Sequence, residues 1–275
     1  MGLSMIDLHS HTSASDGQYA PREQVALAAR AGVKVLAITD HDTVMALAEA
    51  REAATELGVE LINGIEVSCA HNRREVHVLG HFVDPSNAAL LDYTRRLVTE
   101  RETRMTRMIE RLVAAGVPVS LPQVQAIAGD GLLTRPHLAR ALVESRVCAT
   151  FREAFDRFLG DGKLAWVPKQ ETTVAEAVAL IHGAGGTATI AHPGSSRINH
   201  LEFEEMARAG LDGIEALHRD HPPTQRELFA RWAAEFSLCV TAGSDFHGPK
   251  VAPDREFGAI SMTPAQLDAL ARRRS

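Results

Sequence analysis

Residues 5–17 read MIDLHSHTSASDG, and they decide the fold because a short apolar run leads directly into two histidines. Side chains of an extended segment alternate between its two faces, so His9 and His11 point to the same side. Asp16 follows within the same stretch, just before Gly17. The stretch therefore predicts a buried strand whose far end carries metal-binding side chains.

Four further islands repeat this pattern along the chain. They carry His41, then Glu66 with His77, then His192, and finally Asp245 with His247, with the islands at or just past the ends of predicted strands. In a parallel α/β barrel the carboxyl ends of all strands lie on one face, so side chains far apart in sequence converge there. Imidazoles and carboxylates without a thiolate suit zinc, manganese and iron. Nine such groups exceed the four or so ligands of one zinc, which predicts two or three ions and a hydrolytic centre.

Strands and helices alternate in the first and last thirds of the chain but not in the middle. Predicted strands at 5–8, 35–39 and 60–65 alternate with amphipathic helices, a further strand is predicted at 75–82, and the alternation returns after residue 163. This pattern is typical of βα units with a parallel sheet. In the middle, apolar residues at helical spacing predict a long helix over 87–116, followed by shorter helices. We therefore predict a barrel formed by residues 1–85 and 164–275, with an inserted helical subdomain over 86–163 that caps the substrate.

The composition is that of an ordinary globular protein. Of the 275 residues, 45% are hydrophobic and 23% are charged, and no stretch approaches the roughly 20 apolar residues of a membrane span. The amino terminus has no signal-peptide pattern and the 3 cysteines favour reduced thiols, so we expect a cytoplasmic protein. A formal net charge of −6 gives no support for a broad nucleic-acid-binding surface but allows a small anionic substrate. We expect no membrane association and no obligate protein partner.

The islands together resemble the successive motifs of the polymerase and histidinol phosphatase (PHP) superfamily of metal-dependent phosphoesterases. The resemblance implies an α/β fold, a distorted (β/α)7 barrel, and a centre of two or three divalent ions, manganese first, with zinc or iron as alternatives. It implies nine ligands, which are His9, His11, Asp16, His41, Glu66, His77, His192, Asp245 and His247. Among these, Asp16, His41 and His192 are expected to act in catalysis, with a hydroxide held between two ions as the nucleophile.

The inserted region carries a second, closer resemblance. Thr134-Arg135-Pro136-His137 and the pair Arg101 and Arg104 are similar to the inserted domain of bacterial PHP enzymes that act on nucleoside 3′,5′-bisphosphates or on short RNA. The resemblance implies that the insert binds the 5′-phosphate of a nucleotide. A guanidinium fork matches a terminal phosphate in bidentate geometry, which agrees with that role. The expected substrate contacts are Asp16, His41, Arg101, Arg104, Thr134, Arg135 and His137.

These observations predict a phosphoesterase that removes the 3′-phosphate of nucleoside 3′,5′-bisphosphates and leaves a nucleoside 5′-phosphate and inorganic phosphate. Two alternatives use the same chemistry. One is a 5′-to-3′ exoribonuclease that acts on short 5′-phosphorylated RNA, and the other is a small-metabolite phosphatase of the histidinol phosphate type. A third alternative, from a different class, is a non-catalytic PHP module of a larger assembly, and the intact set of nine ligand-type residues argues against it.

Overall fold

The computed structural model describes residues 5–129, 133–168 and 171–274. By their internal contacts, Met1–Thr94 and Glu171–Ser275 form one compact unit, and Arg95–Gln170 forms a second. Among the described helices, none combines the length and the apolar composition that a membrane crossing needs. Cys69 and Cys148 are buried, and Cys239 is partly buried.

A mixed sheet forms the centre of the first unit. Its strands are β1 (Met5–Asp7), β2 (Val33–Ile38), β3 (Glu60–His71), β4 (Arg74–His81), β5 (Thr172–Thr173), β6 (Thr187–Ile190), β7 (Gly213–His218) and β8 (Cys239–Gly243). Among these described strands, seven follow one another in the order β1-β2-β3-β4-β6-β7-β8, and β5 pairs with β3. The first and last strands of this order meet again, since the Leu8 amide donates to the Ala242 carbonyl at 3.1 Å and Ser10 bridges to Phe246. The sheet is a nearly closed barrel, which confirms the predicted α/β barrel fold.

The predicted parallel sheet contains one antiparallel strand, β4. This strand runs antiparallel to β3 on one side and to β6 on the other. Only Asn72 and Arg73 separate β3 from β4, and both have positive φ, 50° and 63°. Two residues with left-handed backbone close a tight hairpin, whereas a parallel neighbour needs a long crossover connection. His77 therefore reaches the site from within an antiparallel strand, and Glu66 lies inside the lengthened β3 rather than just past its end.

Helices cover the barrel of the first unit, and apolar side chains fix its strands. The helices are α1 (Pro21–Arg30), α2 (Leu47–Leu57), α7 (Val174–Gly183), α8 (His200–Arg208), α9 (Pro223–Glu235) and α10 (Pro264–Ala271). One buried cluster contains Ile6, Leu8, Ala37 and Ala242. Because Ile6 and Leu8 take alternate positions of one extended segment, the intervening positions are directed to the other face, where His9 stands. Packing of the apolar residues thus aims the first predicted ligand.

The second unit is helical. Its elements are the part of α3 (Ala88–Ala114) that lies within it, α4 (Leu121–Ala128), α5 (Arg135–Glu144), α6 (Phe151–Ala154) and a π-helical turn at Phe155–Leu159. It has its own buried core, to which α3 contributes Met108 and Leu112 and α5 contributes Leu138 and Leu142. In each helix these two residues are four positions apart, the spacing of one helix face.

Candidate metal centre

All nine predicted ligands lie in the first unit, and their side chains meet in four overlapping groups. Within each group, one donor atom per residue lies within 4.8 Å of the others. The groups are His11, Asp16, His41 and His247; His9, Glu66 and His192; His9, His11 and Asp245; and His41, Glu66 and His77. Since four residues belong to two groups each, the nine form one continuous cluster, which we call the nine-residue cluster.

Glu66 is the centre of this cluster, and its side chain is fully buried. Oε2 lies 3.2, 3.0 and 3.3 Å from nitrogens of His9, His11 and His41, and Oε1 lies 2.9 and 3.2 Å from nitrogens of His77 and His192. The two oxygens of Glu66 therefore face different sets of imidazoles. A carboxylate placed in this way is suited to bridge two ions.

The two histidines of the first stretch stand side by side, as their spacing predicts. The Nε2 atoms of His9 and His11 are 3.1 Å apart, and both side chains are buried. The same two atoms lie 3.3 and 3.2 Å from Oδ1 of Asp245. Ligand atoms that are each about 2.0–2.2 Å from one ion lie roughly 3–3.5 Å apart. The separations are thus those expected of ligands that share an ion.

Solvent reaches the cluster on the side of Asp16. The side chain of Asp16 is 51% exposed, whereas those of His9 and His11 are 0% exposed. The side chains of His41 and His192 are partly exposed, at 20% and 12%. The three predicted catalytic residues are therefore among the cluster members that a dissolved substrate can contact.

Asp245 divides its two oxygens between the cluster and neighbouring groups. Oδ1 faces the cluster, whereas Oδ2 forms an ion pair with Arg255 and lies 3.5 Å from Nε2 of His218. Arg255 also donates to Oδ2 of Asp220 at 2.9 Å. The guanidinium thus fixes the direction in which Oδ1 points. His218 is fully buried beside Asp245.

Burial and mutual charge set the protonation of the metal-free cluster. Burial alone would raise the pKa of Glu66, but the imidazoles of His41, His9 and His77 overcome this and hold it well below its usual range. Burial would lower the pKa of His11 and of His77, yet interactions with the facing carboxylates raise both to about 10. For His41 burial dominates, and its pKa falls to about 4. A metal ion must therefore displace protons from His11 and His77, so metal affinity should rise with pH.

The donor set fits divalent ions better than it fits internal hydrogen bonding. Nδ1 of His77 lies 2.9 Å from Oε1 of Glu66, and Nδ1 of His41 lies 3.3 Å from Oε2. Neither nitrogen has the alignment of a hydrogen bond to that oxygen, or another hydrogen-bond partner within the described residues. Leaving buried nitrogens in this state is costly. An ion shared between nitrogen and oxygen would satisfy both, so the residues present fit a divalent metal.

Sequence reasoning missed two residues that support the cluster. Glu215 is a fully buried carboxylate within the otherwise largely apolar strand β7, and a charge inside a predicted barrel strand is the signal that could have found it. Its oxygens accept hydrogen bonds from His9 and from the backbone of His192. Arg255 lies in a loop without a recognisable motif, and only the fold brings it to Asp245.

Five of the predicted substrate contacts lie in the second unit, and two of them, Thr134 and His137, cap the start of a helix. Thr134 is the N-cap of α5, and His137 is the third residue of that helix. The Thr134 amide donates to Nδ1 of His137 at 3.3 Å, and the Thr134 hydroxyl lies 3.1 Å from the same atom. This is a capping-box arrangement, so both side chains help to define the start of α5.

The other three predicted contacts are arginines that lie close to one another. Arg104 is partly buried and donates through Nε to the Val167 carbonyl at 2.9 Å, and Arg135 donates to Asp161 at 2.8 Å. Burial, together with the positive charges of Arg135 and Arg101, lowers the pKa of Arg104. The positive charges of Arg135 and Arg101 therefore act on Arg104, and a bound anion would relieve that repulsion. We call these three arginines the arginine cluster.

Known proteins match this chain over most of its length. Residues 7–158 match the family model described as PHP domain. The chain is 40% identical over 251 residues to a 5′-3′ exoribonuclease of Haemophilus influenzae, with 88% of this chain and 90% of the relative covered. It is 35% identical over 252 residues to a 3′,5′-nucleoside bisphosphate phosphatase of Chromobacterium violaceum, with 90% and 88% covered. A solved structure from Bifidobacterium adolescentis, assigned as a metal-dependent phosphoesterase, has a TM-score of 0.83 at 32% identity and covers 99% of this chain and 97% of its own.

Proposed function

The chain belongs to the PHP domain family and is a phosphoric ester hydrolase, and we propose that its substrates are nucleotides that carry a 5′-phosphate. The proposed reaction removes the 3′-phosphate from a nucleoside 3′,5′-bisphosphate and leaves a nucleoside 5′-phosphate and inorganic phosphate. The observation that carries the proposal is the arginine cluster of Arg101, Arg104 and Arg135. A relative that is 35% identical and named 3′,5′-nucleoside bisphosphate phosphatase supports it.

The nine-residue cluster is proposed to hold two or three divalent ions, manganese first. When bound, such ions would neutralise phosphoryl oxygens and lower the pKa of water in the site. Asp16, His41 and His192 are proposed to contact the reacting phosphoester, because their side chains are partly exposed. Burial would raise the pKa of Asp16, but the imidazoles of His247, His41 and His11 hold it below its usual range. Asp16 is therefore charged at neutral pH and can accept a hydrogen bond from the attacking water.

The arginine cluster is proposed to bind the 5′-phosphate. Arg135 is the first residue of α5, where the helix dipole favours an anion. Arg104 is anchored by the Val167 carbonyl, so less side-chain freedom is lost when it binds a ligand. A terminal phosphate carries about −1.5 to −2 charges and accepts bidentate hydrogen bonds from guanidinium groups. A substrate without this phosphate would lose these interactions.

Degradation of short 5′-phosphorylated RNA is the second candidate function. It is favoured by the 40% identity to a 5′-3′ exoribonuclease. A 3′-phosphomonoester and an internucleotide phosphodiester are attached to the same 3′ oxygen, so an enzyme that holds the 5′-phosphate can act on either. A phosphatase of the histidinol phosphate type does not need a binding site for a 5′-phosphate, so the arginine cluster makes it the less favoured alternative.

Turnover in manganese-supplemented buffer tests the proposal. Adenosine 3′,5′-bisphosphate is compared with adenosine 3′-phosphate. A 5′-phosphorylated RNA oligomer is compared with its 5′-hydroxyl counterpart, and histidinol phosphate is measured as a separate substrate. A hydrogen bond to a charged group contributes about 1.5–3 kcal/mol, so each substrate without the 5′-phosphate should lose about 10- to 100-fold in kcat/KM. Equal rates with and without the 5′-phosphate would contradict the proposal.

Arg135→Ala should show the same loss on the bisphosphate and little loss on adenosine 3′-phosphate. Arg140→Ala is the matched control, because Arg140 is an exposed arginine of the same helix and lies outside the arginine cluster. Its kcat/KM should equal that of the wild type. Preferred turnover of histidinol phosphate, unaffected by Arg135→Ala, would instead support the small-metabolite phosphatase.

A further inference from the structure

We propose that Glu215 is a positioning residue that sets two metal-binding histidines at once, His9 through its side chain and His192 through its backbone. The inference rests on the proposed metal-binding role of the nine-residue cluster. Glu215 itself belongs to none of the four groups of donor atoms. Glu215 lies on β7. In the sheet, β6, which leads to His192, is the neighbour on one side, and β8 on the other side lies next to β1, which leads to His9.

The first contact concerns the orientation of His9. Oε1 of Glu215 lies 2.9 Å from Nδ1 of His9, and both side chains are fully buried. A carboxylate only accepts hydrogen bonds, so Nδ1 of His9 must donate, and Nε2 is the ring nitrogen left to bind an ion. This Nε2 lies 3.1 Å from Nε2 of His11 and 3.2 Å from Oε2 of Glu66, among the other predicted ligands. Glu215 thus selects the form of His9 that can bind an ion.

The second contact concerns the backbone of His192. The His192 amide donates to the other oxygen of Glu215, Oε2, at 2.8 Å. His192 has a φ of +26°, a region that residues with a side chain rarely adopt and that surrounding contacts must hold. Two positions further on, the Gly194 amide donates to Nε2 of His221 at 3.1 Å. Hydrogen bonds to Glu215 and to His221 therefore fix the backbone of this loop at two positions. In this conformation Nε2 of His192 lies 3.2 Å from Oε1 of Glu66.

The space around Glu215 is shaped for this double role. The pairing of β7 with β8 is irregular between Glu215 and Leu217, which alters the direction of the strand beside the carboxylate. Opposite, Gly243 presents only its α-carbon, and a β-carbon built there would lie 2.8 Å from Oε1 of Glu215. Both oxygens of Glu215 are occupied by donors, one from each histidine. The carboxylate therefore positions two ligands and does not bind an ion itself.

Glu215→Gln tests the inference, because an amide has one accepting oxygen and one donating nitrogen and can serve only one of the two contacts. Asp212→Asn is the matched control. Oδ2 of Asp212 likewise accepts from an imidazole, His182 at 2.7 Å, and from a backbone amide, Ala188 at 2.8 Å, and neither residue is a predicted ligand. Manganese and zinc affinities of the intact chain are measured by equilibrium dialysis with elemental analysis. Unfolding is measured separately in a chelating buffer.

We expect Glu215→Gln to lower metal affinity about 10- to 100-fold, as changes next to metal ligands do, and Asp212→Asn to keep the wild-type affinity. A merely structural role of Glu215 would lower the melting temperature of metal-free Glu215→Gln and leave the metal affinity of the folded protein unchanged. Should Glu215→Gln not fold, Glu215→Asp keeps both oxygens but shortens the side chain by one methylene, and wild-type affinity in that variant would overturn the inference. A wild-type protein that binds no metal would instead overturn the proposed metal centre.

Discussion

Replacing Gly243 by alanine is expected to displace His9 and Glu215 together and so to weaken both folding and metal binding. Gly243 is the last residue of β8. A β-carbon at this position would lie 2.8 Å from Oε1 of Glu215, 2.9 Å from the amide nitrogen of His9, and closer still to the β-carbon of His9. The two His9 atoms are held by the backbone and cannot rotate away. Relief therefore requires that β8 and the segment after β1 move apart.

The size of the effect follows from this geometry. Forcing an extra carbon into a packed interior costs about 1–3 kcal/mol. In a protein of this size each kcal/mol lowers the melting temperature by about 2–4 °C, so a decrease of roughly 2–12 °C is expected for metal-free Gly243→Ala. Displacement of His9 should also reduce manganese affinity by about 10-fold or more.

Gly183→Ala is the matched control for this substitution. Gly183 ends α7, and a β-carbon built there would meet nothing within 4 Å. Alanine at such a position restricts mainly the unfolded chain, so stability should stay equal or rise slightly. Calorimetry in a chelating buffer gives the melting temperatures, and equilibrium dialysis gives the affinities. If Gly243→Ala has the same melting temperature as Gly183→Ala and binds manganese as the wild type does, the close packing of His9, Glu215 and Gly243 is refuted.

Two further predictions concern the metal and one ion pair. Manganese at 100 times its Kd should stabilise the wild type by about 2.7 kcal/mol relative to the chelated protein. Manganese should stabilise Glu66→Gln much less, because imidazoles on both sides converge on that carboxylate. Equal stabilisation of the two proteins in thermal melts would contradict the central position of Glu66. Hydrogen bonds from Arg74 and from the Asn199 amide hold the pKa of Glu202 at about 2, below the ordinary 4.5. The stabilisation is present above pH 4.5 and is lost as the pH falls towards 2. Glu202→Gln should therefore destabilise the protein clearly at pH 7 and less at pH 3, and a pH-independent difference in melting temperature would contradict this.

The barrel could be predicted from sequence because its signals are local. The prediction failed where strand direction depends on contacts that are not local. Alternating strands and amphipathic helices identify βα units one at a time. The direction of β4 depends on two residues, Asn72 and Arg73, whose positive φ turns the chain back without a helix. Neither is glycine, so the hairpin has no strong sequence signal. The placement of Glu66 inside β3 follows from the same turn.

The ligand types were readable from the chain alone, because the nine ligands stand in five short islands and the donor atoms of an imidazole or a carboxylate are fixed by the residue type. The partners that aim those ligands were not readable. Glu215 meets His9 across 206 positions of sequence, and Arg255 meets Asp245 through a loop with no motif. A hydrogen bond requires atoms to be about 3 Å apart with the right alignment, and no local pattern encodes a distance between remote segments. Tertiary packing alone supplies it, here through Gly243, whose missing side chain lets the strands that carry His9 and Glu215 approach.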